Sequence, residues 1–312
     1  MLSKAALVAT AAAVASIKGV AAKDRSADLS GVGFNALHIN SEATAVVDGG
    51  TYDARNIVAK DNGNSIDDGA YGLFVDTDAT VTVCDAKLIK GGTMNAEDGT
   101  TQGRGGVYVA SGATLNIVDG VIEGGNSEAS KGSYGIYASY EANEEANSIV
   151  ITGGEILGGM ILKNGKHVRG VTIFAEGGGT VDVYGGDIGD KRTWSSLAIQ
   201  AGLFGELPAG NKDATVNIHG GNWQGTEMYL EAYNNSMAYL NIFGEDLNET
   251  PLPNDDMILV EGHLCDGSSF KQNIHVYAAA SAVAQLSVVH HCSGSTAPTF
   301  DDCGSGKKKK SG

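Results

Sequence analysis

The stretch GTVDVYGGDI at residues 179–188 alternates apolar and polar side chains, then breaks at a Gly-Gly step. Val181 and Val183 lie two apart, the period of a β-strand that buries one face. Gly185-Gly186 turns the chain, because glycine takes a positive φ without a Cβ clash. Ile188 then points inward again. Six other stretches share the pattern: ATAVVDGGTY at 43–52, ATVTVCDAKL at 79–88, ATLNIVDGVI at 113–122, NSIVITGGEI at 147–156, ATVNIHGGNW at 214–223 and a degenerate AYLNIFGEDL at 238–247. Their starts lie 36, 34, 34, 32, 35 and 24 residues apart.

A second apolar run precedes most copies. Residues 36–39, 72–75, 106–109 and 172–175 each begin seven residues before their partner, and 135–138 begins twelve before, with an acidic insertion at 141–145. Each unit thus predicts a strand, a turn, a second strand with inward third and fifth positions (Ala45/Val47 through Leu240/Ile242), and a Gly turn. An inward tenth position closes it: Tyr52, Leu88, Ile122, Ile156, Ile188, Trp223 and Leu247.

One such unit cannot bury its apolar face alone, so copies must stack on one another. Parallel crossovers are overwhelmingly right-handed. The expectation is an all-β, single-stranded, right-handed parallel β-helix with a repeat of about 34 residues. About seven coils at the ~4.8 Å strand spacing make a rod roughly 30 Å long. A propeller needs repeats of four antiparallel strands, and a calcium-binding roll needs tandem GGxGxD, which residues 185–190 only echo.

Across residues 36–277 this repeat architecture resembles the pectin-lyase-like superfamily of right-handed β-helices, which includes surface adhesins and autotransporter passengers. The resemblance rests on the repeat and on no family-specific motif, and a fold alone does not carry a function. The enzymes of that superfamily would imply signatures that are broken here. Gly262-His263-Leu264 interrupts the Gly-His-Gly of polygalacturonase-like enzymes, and the pairs Asp67-Asp68, Asp255-Asp256 and Asp301-Asp302 lack its companions. Tyr71-Gly72 and Tyr134-Gly135 lack the rest of an epimerase-like Tyr-Gly-x-Asp-Pro-His, and no grouped Asp and Arg residues match a pectate-lyase-like site.

The N-terminus reads as a secretory leader. A basic lead at Lys4 precedes an Ala/Val-rich run at 5–17, too short to span a bilayer, and Val20-Ala21-Ala22 places small residues for cleavage near Ala22. The expected layout is a leader at 1–22, an N-terminal cap at 23–35, the β-helix with its C-terminal cap at 36–289, and a flexible Cys-containing basic tail at 290–312. No hydrophobic tail suggests a lipid anchor, and no transmembrane segment is expected.

Four cysteines (Cys84, Cys265, Cys292 and Cys303) suit two disulfides in an oxidising compartment, with three pairings open. Asn234 and Asn248 head glycosylation sequons, the second weakened by Pro251. The net charge of −16 becomes −18 once Lys4 and Lys18 leave with the leader. Such a surface repels nucleic acid and anionic membranes, and would tolerate Ca²⁺ or basic partners; no other cofactor is implied.

Two features remain as candidate sites. The middle residue of the upstream strand is repeatedly aromatic: His38, Phe74, Tyr108, Tyr137, Phe174 and, in a later copy, Tyr229. Its neighbours are aliphatic, so both faces of that strand are apolar. Either the row is covered, with residues 276–289 as the candidate cover or C-terminal cap, or it is an exposed platform for sugar rings or another surface. The second feature is charged: Lys166, His167 and Arg169 in one loop, Asp190 and Arg192 in the next. It reads either as an exposed charged turn or as a site for an anionic sugar in a diverged polysaccharide lyase or hydrolase. His290-His291-Cys292 reads as a disulfide-tied terminal loop rather than a metal site. Thr44, Thr80, Thr114, Thr180 and Thr215 recur at one position, where a strand-start role outweighs an ice-binding array. Together these point to a secreted, non-enzymatic wall, matrix or surface component that binds carbohydrate or another extracellular surface through a lateral strand face.

Overall fold

The computed structural model describes residues 15–18, 35–55, 58–60, 70–95, 101–127, 134–139, 145–163, 166–201, 213–253 and 256–303. It is all-β, built mainly on three long sheets. The repeat stretches form a nine-stranded parallel sheet that runs through Thr44–Asp48, Thr80–Val83, Thr114–Ile117, Asn147–Ile151, Gly179–Val183, Ala214–Ile218 and Met237–Phe243. The upstream runs form a ten-stranded sheet through Leu37–Ile39, Leu73–Val75, Val107–Val109, Ile136–Ala138, Ile173–Glu176, Ser195–Ala201 and Glu227–Ala232, all parallel. The residues after each Gly turn make a six-stranded sheet from Thr51–Asp53 to Asn222–Trp223. The chain visits the three sheets in the same rotation, and each visit pairs with the one before it.

The pairing is in register with the repeat. Leu115 lies between Val81 and Ile149, and Ile117 between Val83 and Ile151. The inward residues of all three sheets share one hydrophobic core, in which Val47, Val81, Leu115, Ile149, Val183 and Leu240 are fully buried. The closing position holds for Tyr52, Ile122, Ile156, Ile188, Trp223 and Leu247. It does not hold for Leu88, which is half-buried; Ile89 takes the inward place opposite Tyr52 and Ile122. An extra residue in the 84–89 turn shifts the register there. The Gly turn needs glycine for space as well as φ: Gly186 has φ +98°, and a Cβ on it would press on the Gly154 carbonyl oxygen.

Past residue 247 the sequence pattern fades, yet the sheets continue. Ser269–Ala278 pairs parallel with Glu227–Ala232, and Val283–Val289 pairs parallel with Met237–Phe243. Residues 276–289 therefore extend two sheets and do not cover the aromatic row. An antiparallel pair, Asn248–Pro251 and Met257–His263, ends the ten-stranded sheet, and its Val260 is buried in the core. At the other end Ala15–Lys18, inside the stretch read as a leader, pairs parallel with residues 45–48. The rest of that leader, most of the 23–35 cap, residues 141–144 of the acidic insertion and the lysines at 307–310 lie outside the described residues.

The disulfides are Cys84–Cys303 and Cys265–Cys292. Both bonds reach into the stretch read as a tail, at Cys292 and Cys303. After Val289 the chain turns back and reaches a short 3-10 helix, Asp301–Cys303, packed on the strands Thr44–Asp48 and Thr80–Val83. Among the described residues no helix is long and apolar enough to cross a membrane.

Candidate functional site

Parallel in-register pairing brings equivalent side chains to one strand spacing, so the aromatic row is real in space. Across the ten-stranded sheet His38, Phe74, Tyr108, Tyr137 and Phe174 are successive partners; Ala198 interrupts, and Tyr229 and His275 follow. Phe74, Tyr108 and Tyr137 expose only 6, 3 and 7% of their surface. With Tyr71, Ala110, Tyr134 and Phe174 they form a second apolar cluster on the outside of the sheet. Tyr71 and Tyr134 come from the turn before the strand and fold over the row.

Stacking decides what these rings can still touch. Phe74 and Tyr108 lie 4.6 Å apart at 11°, and Tyr229 and His275 lie 4.7 Å apart at 6°. Rings stacked along the row spend their faces on one another and turn edges outward. A sugar ring packs on a face. The other neighbouring pairs from Tyr108 to Phe174 are tilted by 40–64°, but the burial of Phe74, Tyr108 and Tyr137 makes the N-terminal part of the row packing, with His38 its exposed end.

The C-terminal part differs. Trp194 stands beside Tyr229 where Ala198 leaves room, its ring tilted by 59°. Tyr233 and Tyr277 meet at 5.5 Å with a 46° tilt, and Tyr277 is 48% exposed. Tyr277 is the exposed ring of this set, and Trp194, Tyr229 and Tyr233 are half-buried. Acceptors sit between them: Glu227 accepts from Trp194 Nε1 at 3.1 Å and from the Tyr229 hydroxyl, and Glu231 accepts from the Tyr233 hydroxyl at 3.0 Å. Gln200 and Tyr277 flank Glu231 on the neighbouring strands. Burial, reinforced by the hydrogen bond to Glu231, pushes the Tyr233 phenol up to about 12. Burial and then Glu227 raise Tyr229 as well. Both phenols stay protonated and hold their carboxylates in place. The result is a half-exposed surface of tilted rings and oriented acceptors. Of these residues the sequence singled out Tyr229 alone. Trp194, Tyr233 and Tyr277 fall outside the repeat columns, and only the three-dimensional register gathers them.

The charged candidates separate. Arg169, Asp190 and Arg192 come together, whereas Lys166 and His167 stay exposed on a hairpin strand, Lys166–Arg169. The guanidinium of Arg169 is buried. Its Nε donates to Asp190 at 2.8 Å, and its Nη1 to Glu123 at 2.9 Å and to the Gly158 carbonyl at 2.8 Å. Lys90 pairs with the far side of Glu123 at 3.0 Å, and Arg192 with Asp190 at 3.0 Å. Burial alone would raise the Glu123 carboxyl, but hydrogen bonds from Arg169 and Lys90 outweigh it and hold the pKa below the usual range. Asp190 is lowered in the same way, burial being outweighed by Arg169 and Arg192. This network ties successive strands together and commits the Nε and Nη1 donors of Arg169 to protein acceptors. Glu123 was legible in principle, since it directly follows the closing residue Ile122, whereas Lys90 follows Ile89, which only the register shift brings to the closing place.

The sequon residues Asn234 and Asn248 are both exposed, Asn234 in a turn with φ +51°. His291 and Cys292 lie at the Cys265 disulfide. Among the described residues no cluster of three or more His, Cys, Asp or Glu could hold a metal ion. The chain matches no protein-family model, no curated protein and no solved structure.

Proposed function

We propose that this chain is a secreted, right-handed parallel β-helix of about seven coils. It acts without catalysis as a cell-wall, matrix or surface component and holds glycan on the outer face of its ten-stranded sheet. The rotation of the chain through three sheets and the ~34-residue period support the β-helix. Two disulfides in so small a set of cysteines, together with the N-terminal leader pattern, support secretion.

One observation carries the binding surface: Tyr277, half-exposed and tilted against Tyr233, whose hydroxyl orients Glu231. Open ring faces pack on the C–H faces of sugars, and fixed carboxylate oxygens accept from sugar hydroxyls. Trp194, donating to Glu227 four residues before Glu231 on the strand Glu227–Ala232, repeats this arrangement. The contact surface thus belongs to Trp194, Tyr233 and Tyr277, and the row from Phe74 to Phe174 lies beside it on the same sheet face as packing. A glycan array run with wild type and with Tyr233→Ala/Tyr277→Ala tests this. Binding to at least one glycan, lost in the double variant, is expected. An array without a single wild-type hit would refute it.

A further inference from the structure

We propose that residues 290–303 form a redox-released strap over the outer face of the nine-stranded sheet. The strap leaves the sheet after Val289 at one edge and is pinned at Cys292 to Cys265. It touches the sheet in passing, where the Ser295 hydroxyl meets His219 Nδ1 at 2.8 Å. It ends at Cys303, bonded to Cys84 near the opposite edge. The two anchor strands are six places apart in the sheet order, a span of roughly 29 Å at ~4.8 Å per strand.

The strap covers the sheet without contributing to the core. None of residues 290–303 is buried, and the terminal helix Asp301–Cys303 buries no residue of its own. Outward-facing Val46 and Thr82, on the two strands beneath that helix, expose only 4% each. Their counterpart Asn116 on the next strand exposes 8%, and Val150, Asp182, Asn217 and Asn241, farther along the same outward row, are half-buried. The inward residues of those same strands, Ala45, Val47, Val81 and Val83, are buried by the other sheets. Covalent attachment, rather than burial, holds the strap down. Segments with little buried surface are the first to open.

Release is a two-electron exchange. A dithiol reductant attacks the Cys84–Cys303 bond, closes to its own disulfide, and leaves thiols on Cys84 and Cys303. The strap end then lifts, and Val46 and Thr82 join the polar row as one continuous surface. The oxidised protein is closed and the reduced protein is open, on an unchanged three-sheet body.

Limited proteolysis at residues 299–301, read by mass, tests the proposal on the full chain. Cutting in Cys84→Ala/Cys303→Ala should be at least about tenfold faster than in oxidised wild type, as expected when a pinned segment becomes free. Wild type treated with dithiol should match the variant. Equal cutting rates in the pinned and unpinned proteins would overturn the strap. Loss of the β-sheet circular dichroism signal in both the variant and the reduced wild type would overturn the claim that the body stands without it.

Discussion

Arg169 donates to Glu123 across 46 residues of sequence, Nη1 to Oε1 at 2.9 Å, and so ties two successive passes of the chain together. The side chains expose 9% and 18%. Breaking a buried pair from one side leaves a charge without its partner, which costs more than the pair is worth. Arg169→Met should lower unfolding free energy by about 3 kcal/mol. Glu123→Gln/Arg169→Met should recover part of that loss. Urea unfolding of the two single variants and the double variant measures the coupling.

The same network sets the acid limit of the fold. Glu123 and Asp190 sit below their ordinary values of 4.5 and 3.8 in the folded protein. A carboxylate lowered by folding stabilises the protein above its unfolded pKa, and that contribution is lost as pH falls through the folded pKa. Stability from this source should be flat from neutrality down to about pH 5 and should fall below the ordinary carboxylate range. In Glu123→Gln the acid slope should be shallower. Thermal midpoints taken from pH 7 to pH 2 read it directly.

Backbone contact makes a third expectation. Gly125 lies against Gly92 where successive passes touch, and a Cβ on Gly125 would collide with the Gly92 carbonyl oxygen. Gly159 stands in the same relation to Gly125. No flexible side chain can yield there, so Gly125→Ala should destabilise by about 2–3 kcal/mol. Gly105→Ala, where the nearest atoms are 3.1 Å or more away, should cost much less. Chemical denaturation of both variants separates crowding from helix or strand propensity.

Much of this architecture was legible because the repeat is periodic in two ways. The two-residue alternation of Val181 and Val183 marks the strand, and the recurrence near 34 residues marks the stacking. The pairing Leu115 with Ile149 follows from those facts alone. What could not be read depends on insertions and on distance. One extra residue in the turn at 84–89 exchanged Leu88 for Ile89. The strand Val283–Val289 carries no Gly-Gly turn and gave no repeat signal. For the candidate surface, a single column of aromatics showed where rings line up. It could not show that stacking at 4.6 Å consumes the faces of Phe74 and Tyr108, nor that Tyr233 and Tyr277 tilt. Ring orientation depends on neighbours from several passes, and a one-dimensional pattern does not carry it.

The division of the aromatic face predicts opposite behaviour from two tyrosines. Tyr108, 3% exposed and stacked on Phe74, should cost about 3–5 kcal/mol when cut to Ala, as large-to-small changes in packed clusters do. Tyr277, at 48% exposure, should change stability by no more than about 0.5 kcal/mol. Calorimetric melting of Tyr108→Ala and Tyr277→Ala compares them.

Binding distinguishes the two ends of the aromatic row. A glycan that wild type binds on the array is titrated calorimetrically into Trp194→Ala, Tyr277→Ala and Tyr108→Ala, below the melting point of each. The first two should weaken binding by about tenfold or more, equivalent to about 1.4 kcal/mol, while Tyr108→Ala stays within about twofold despite its lower stability. The opposite pattern, with binding lost in Tyr108→Ala and kept in Tyr277→Ala and Trp194→Ala, would contradict a binding surface at the open end of the row.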